Sequence, residues 1–208
     1  GPDATNGNFN SKYMYSGKLS GKFYFFSVLT EGLKMPFYVW NLETNIVSGI
    51  ISANNSPPGS YQSSPGETAY DKSDTSLVGS VFDVNDNTLI LHDKYGYYYI
   101  FENINDTWTY KQMLNLYDDM RESSNNRHMS DDGHRIFKYS NVKIDGDRAV
   151  FSFCNPHESI KGRIIVIEKS GGTWSKTAKI ETHDSSYPWN IYLEGDIILA
   201  LSLIHISE

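Results

Sequence analysis

Val142–Phe151 reads VKIDGDRAVF, an alternation of apolar and polar residues broken at its centre by Asp145-Gly146-Asp147. Alternation with a period of two marks a half-buried strand, and a Gly between two Asp residues supplies the positive φ that a tight hairpin turn needs. The segment predicts strand, short turn, strand. Phe82–Leu91 (FDVNDNTLIL) and Ile191–Ala200 (IYLEGDIILA) follow the same outline, with Asn85-Asp86-Asn87 and Glu194-Gly195-Asp196 at their turns. Three hairpins of one design in one chain point to an internal repeat.

A second pattern follows the first two hairpins. Tyr98–Leu114 (YYIFENINDTWTYKQML) lies over Ile164–Ile180 (IIVIEKSGGTWSKTAKI) at a constant offset of 66 residues, matching Glu102 with Glu168 and Thr107-Trp108 with Thr173-Trp174. Phe37–Ile51 (FYVWNLETNIVSGII) shares the outline, with Asn41–Asn45 as its turn and Lys22–Leu29 as the strand before it. A complete unit then holds four antiparallel strands in about 40 residues, the size of one β-propeller blade. The expected fold is all-β: a β-propeller or propeller fragment of four-stranded antiparallel blades, about three and a half blades per chain. Its units fall at about 22–51, 80–114, 141–180 and 189–204 within a single repeat domain spanning 1–208. An incomplete ring leaves sheet edges unpaired. The expected remedy is that the hairpin Asn190–Leu201 pairs with N-terminal strands; the other is completion by blades of a second copy, a homo-oligomer.

Composition agrees. Of 208 residues, 14% are aromatic, gathered in runs such as GKFYFFSVL and YGYYYIF that favour pleated structure over helix. Lys111–Arg121 alone suggests a helix, and it begins as a strand. The net charge of -7 repels a phosphate backbone, so no nucleic-acid partner is expected. Ile197–Ile206 is the longest apolar stretch and falls short of the roughly 20 residues of a membrane span, so no membrane insertion is expected. The single Cys, Cys154, rules out an internal disulfide and reads as a buried thiol. Gly1-Pro2 reads as the scar of a removed tag. Leu201–Glu208 (LSLIHISE) has two readings, a true edge strand with a polar tail or the translation of a sequencing adapter. Asn54-Asn55-Ser56 and Asn105-Asp106-Thr107 match the glycosylation sequon.

Gly162–Ile180, preceded by Phe137–Phe151 (FKYSNVKIDGDRAVF), resembles the FG-GAP repeats of integrin-α-like β-propellers, whose blades carry a G-D hairpin and a G-x-W turn. Leu77–Val84 and Gly96–Trp108 fit the outline more loosely, and the resemblance covers about 77–200. It implies a ligand-presenting propeller and an extracellular or periplasmic setting. Cation-binding members carry spaced carboxylates in a D-x-D-x-D-G loop. Here the alternate positions are Asp83, Asn85 and Asn87, two of them neutral amides, so no metal ligands are carried over. No cofactor is expected, with calcium the one ion the loop pattern leaves open.

Three long segments separate the units: Ser52–Ser76, Asn115–Arg135 and Glu181–Pro188. Links from the outer strand of one blade to the inner strand of the next reach one face of a propeller, where binding surfaces are built. Tyr117, Asp118, Asp119, Arg121, His128, Asp131, Asp132, His134, His183, Asp184, Tyr187 and Trp189 are the candidate ligand-binding residues there. Aromatic rings beside Asp, Asn and His suit a protein or glycan ligand. The alternative is a hydrolase of glycans or esters in which Asp132, His134 and His183 converge as acid and base. No nucleophile elbow, phosphate loop or H-E-x-x-H is present. The expected function is a non-enzymatic recognition or scaffold module. Trp108 and Trp174, at equivalent repeat positions, are expected to pack between blades.

Overall fold

A computed structural model describes residues 13–29, 37–51, 82–92, 97–116, 119, 141–153, 162–181 and 188–202. They form fourteen strands in three four-stranded antiparallel sheets and one pair. Blade 1 holds β1 (Tyr13–Ser20), β2 (Phe23–Leu29), β3 (Phe37–Asn41) and β4 (Ile46–Ile51). Blade 2 holds β5 (Phe82–Asn85), β6 (Thr88–His92), β7 (Tyr97–Ile104) and β8 (Thr107–Asn115). Blade 3 holds β9 (Asn141–Asp145), β10 (Arg148–Phe153), β11 (Arg163–Ser170) and β12 (Thr173–Glu181). A half blade holds β13 (Pro188–Glu194) and β14 (Ile197–Ser202).

In each sheet the strands run up and down in chain order. The first strands are neighbours from sheet to sheet: β1 touches β5, β5 touches β9, and β9 touches β13. First strands innermost, with later strands radiating outward, is the arrangement of propeller blades.

The hairpins follow from turn chemistry. Each inner hairpin turns on two residues whose first has positive φ: Gly21 at 54°, Asp86 at 37°, Gly146 at 56° and Gly195 at 54°. The outer hairpins of blades 2 and 3 turn on Asn105-Asp106 and Gly171-Gly172, where both residues have positive φ. Gly, Asn and Asp are the residues that tolerate this region, so the turn sequence selects the pairing register.

The repeat extends to its irregularities. β7 and β11, and β8 and β12, begin and end at the same offset of 66 residues. A bulge separates Ile100 from Phe101 opposite Lys111, and its equivalent separates Val166 from Ile167 opposite Thr177. A bulge at one position in two blades sharpens the twist of both outer hairpins in the same way.

Three apolar layers lie between the four sheets. Phe23, Phe25 and Phe37 of blade 1 meet Leu89, Leu91 and Phe101 of blade 2. Ile90, Tyr98 and Ile100 of blade 2 meet Phe151, Ile165 and Trp174 of blade 3. Val150, Ile164 and Val166 of blade 3 meet Ile191, Leu193 and Ile198 of the half blade. β6 and the first five residues of β11 are buried on both faces, which is why TLILH and RIIVI are near-continuous rather than alternating. Trp108 stands edge-on to Phe23 and Phe25, with ring centroids 5.8 and 5.0 Å away, and Trp174 is buried against blade 2. Both tryptophans pack a blade on its predecessor.

Two expectations change. Tyr13–Ser20, which the sequence reading left unassigned, pairs with β2 and gives blade 1 four strands. The last hairpin does not pair with N-terminal strands: β1 bonds β2, and β13 and β14 bond each other. The physical reason is position, because β1 is already the innermost strand of blade 1, beside β5. Lys111–Asn115 is strand, and Asp119 stands in a helical turn whose amide donates to the Leu116 carbonyl at 3.1 Å. No helix among the described residues is long and apolar enough to cross a membrane. Cys154, the tag scar, Ser52–Ser76 and 203–208 lie outside the described residues.

Candidate functional site

Strand direction sets where the long links begin and end. β4, β8 and β12 end, and β5, β9 and β13 begin, at the same end of the stacked blades. Of the candidate residues, Asp119 is described and Trp189 lies in β13; Tyr117, Asp118, Arg121, His128, Asp131, Asp132, His134, His183, Asp184 and Tyr187 lie outside the described residues. Asp119 accepts from Lys176 Nζ at 2.6 Å, and its carbonyl accepts from Arg163 Nη1 at 3.0 Å. Arg163 also pairs with Glu181 at 3.2 Å. Asp119 therefore clamps the exit of blade 2 to blade 3 at the root of the longest described link.

The opposite end carries a cleft of about 380 Å³ between blade 3 and the half blade. Asp145, Asp147, Arg148, Glu168, Lys169 and Asp196 supply its charged lining. Arg148 donates through Nε to Glu168 at 2.8 Å and through Nη1 to Asp196 at 2.6 Å and the Gly195 carbonyl at 3.0 Å. Hydrogen bonds from Asp196 first, then Glu168, hold its guanidinium above the usual range. Asp145 accepts from the Gly195 amide at 2.7 Å and from Asn85 Nδ2 at 3.3 Å. Asn85, Asp145 and Glu194 are the last residues of β5, β9 and β13, so one repeat position hands a bond from blade to blade. Lys169 reaches back to Glu102 at 2.6 Å, and Lys22 to Asp106 at 2.7 Å. The cleft is a seam of ion pairs, and sequence inspection missed it because each pair joins different blades.

The alternate positions once considered for calcium have other work. Asp83 is buried, pairs with Lys18 of blade 1 and accepts the Ile144 amide of blade 3 at 3.0 Å. Asn85 bonds Asp145, and the Asn87 carbonyl accepts from the Asn103 amide at 2.9 Å. Among the described residues no three His, Cys, Asp or Glu gather as a metal site.

The two outermost sheet faces are apolar. On the half blade Tyr192, Ile197, Leu199 and Leu201 share the face turned away from blade 3, and Leu199 is 52% exposed. On blade 1 Leu19, Tyr24, Phe26, Tyr38 and Trp40 share the face turned away from blade 2, and Leu19 is 59% exposed. The rings of Tyr24, Phe26 and Tyr38 stack in file with centroids 5.8 and 5.4 Å apart.

Fold and blade register place the chain in the class of β-propellers. No protein-family model matches it, and no curated protein matches it. Among solved structures it is similar to the N-terminal domain of Nup159, with a TM-score of 0.49 and 14% identity, covering 91% of this chain and 45% of that one. It is also similar to a chain in the S. cerevisiae complex of Dbp5 bound to Nup159, Gle1, IP6 and ADP, with a TM-score of 0.46 and 15% identity, covering 84% of this chain and 38% of that one. The chain spans less than half the length of either.

Proposed function

We propose that this chain is a non-enzymatic recognition or scaffold module that binds a protein through the inter-blade links at one end of its sheets. The carrying observation is directional: β4, β8 and β12 all deliver the chain to the same end, and β5, β9 and β13 all take it up there. Links of 20 or so residues on a rigid all-β frame are where recognition surfaces arise. The resemblance of Gly162–Ile180 to FG-GAP blades supports a ligand-presenting propeller of that type. Tyr117, His134, Tyr187 and Trp189 are the residues proposed to contact the partner.

The test is cross-linking of the 208-residue chain to proteins of its source, followed by quantitative binding of each identified partner to the wild type and to a His134→Ala, Tyr187→Ala, Trp189→Ala variant. The expected result is at least a tenfold loss of affinity with unchanged far-ultraviolet circular dichroism, as removal of aromatic anchors produces. Equal affinity of wild type and variant for every partner removes the link face. Binding to a glycan array but to no protein replaces the partner class.

A further inference from the structure

We propose that the two outermost sheet faces bind each other between copies: the free face of the half blade in one copy docks on the free face of blade 1 in a second copy, head to tail. The proposal concerns surfaces distinct from the link face and does not rest on it.

The argument is one of register. Counting from the inner hairpin turns, Glu194 of β13 stands where Asp145 stands in β9 and Asn85 in β5. Leu199 of β14 then occupies the position of Val150 in β10 and Ile90 in β6. Both of those are fully buried, each facing the following blade, whereas Leu199 is 52% exposed. The half blade thus presents a residue built for the core with nothing over it among the described residues.

The complementary face is found by the same count. Val150 is covered in this chain by Ile191, Leu193 and Ile198 of the half blade. In β1 and β2 the positions of Leu193 and Ile198 are held by Leu19 and Tyr24. Leu19 and Tyr24 therefore stand to Leu199 of another copy as Leu193 and Ile198 stand to Val150 within one. Tyr24 already lies across Gly17, where any β-carbon would collide with its ring, so the face is flat and aromatic rather than ridged.

Polar groups at the rim continue the pattern. Asp145 takes the amide of Gly195, the first turn residue of the next blade, at 2.7 Å. Glu194 is the equivalent acceptor, and the equivalent donor is the amide of Gly21 in the second copy. That turn also carries Lys22, a cation, against Glu194 and Asp196 on the half blade. Charge and register agree on the same contact. Because the surfaces differ, the interface is heterologous, and two such contacts around a twofold axis close a dimer that leaves neither face exposed.

The experiment uses light scattering on the 208-residue chain and two variants, each with one exposed residue changed. Leu199→Glu disables the half-blade face and Leu19→Glu disables the blade 1 face. Circular dichroism and thermal unfolding confirm that both stay folded. The wild type is expected at twice 23.6 kDa at micromolar concentration, and each variant alone at 23.6 kDa. An equimolar mixture of the variants regains the doubled mass, since one intact face of each kind remains. A wild type that stays monomeric at the highest soluble concentration overturns the proposal, and assigns the faces to another protein or to further blades. A Leu19→Glu variant that still dimerises overturns it in favour of a face-to-same-face contact.

Discussion

The side-chain amide of Gln112 grips the backbone of Trp174 at both ends. Nε2 donates to the Trp174 carbonyl at 2.7 Å, and Oε1 accepts the Trp174 amide at 2.9 Å. Gln112 lies in the outer strand of blade 2 and Trp174 in the outer strand of blade 3. The amide does the work of a neighbouring strand, satisfying one donor and one acceptor on an otherwise free sheet edge. Gln112→Ala removes both bonds from a part-buried seam and is expected to lower unfolding free energy by about 1–3 kcal/mol. Urea titration checks it, and an unchanged midpoint would show that water replaces the amide without loss.

The same seam makes a second prediction at Trp174, which is buried to 2% exposure. Trp174→Ala opens a cavity between blades 2 and 3 and is expected to cost about 3–5 kcal/mol, comparable with the whole stability of many domains. The indole Nε1 has no hydrogen-bond partner among the described residues, so Trp174→Phe sacrifices volume and little else. Phenylalanine is expected to restore most of the loss in a thermal melt. Equal destabilisation by both changes would mean the indole nitrogen is bonded after all.

The repeat was legible because its signals are local. Gly146, Gly195 and Asp86 turn the chain by their own φ preferences, and Trp108 and Trp174 recur at a fixed offset, so the inner hairpins, the outer hairpins and the inter-blade tryptophans could all be read from spacing. Tyr13–Ser20 escaped because YMYSGKLS places Ser16, Gly17 and Lys18 at its centre and shows no clean alternation; it becomes a strand by pairing with the aromatic β2. The expected closure of the last hairpin on the N-terminal strands failed because pairing between distant strands leaves no local mark. The charged seam was hidden for the same reason: Arg148 and Asp196, or Lys169 and Glu102, meet only once the blades are stacked. Asp119, chosen as a ligand-binding residue, spends its carboxylate on Lys176.

Asp145 joins three blades by accepting from Asn85 and from the Gly195 amide. Asp145→Ala leaves the blade cores intact and frees the turn of the half blade. Amide exchange at Gly195 is expected to accelerate at least tenfold, with the amides of β10 and β11 unchanged, as local opening without global loss requires. Hydrogen exchange resolved by residue is the measurement, and uniform acceleration throughout blade 3 would instead make Asp145 a determinant of global stability.

His92 gives the fold its acid sensitivity. It is fully buried at the end of β6, stacked on Tyr98 with ring centroids 4.5 Å apart, and desolvation lowers its pKa from 6.5 to about 3. The folded state therefore stays unprotonated through a range in which the unfolded chain binds a proton. Stability is complete above pH 6.5 and falls as pH drops toward 3, because protons favour the unfolded state throughout that window. Between pH 8 and pH 5 the loss from this one group is about 2 kcal/mol, from the slope of about 1.4 kcal/mol per pH unit below the unfolded pKa. His92→Leu keeps an apolar side chain in the slot and removes the titration, so its urea midpoint is expected to change far less over the same interval. If wild type and variant lose stability in parallel between pH 8 and pH 5, His92 is protonated in the folded state and the buried neutral imidazole is wrong.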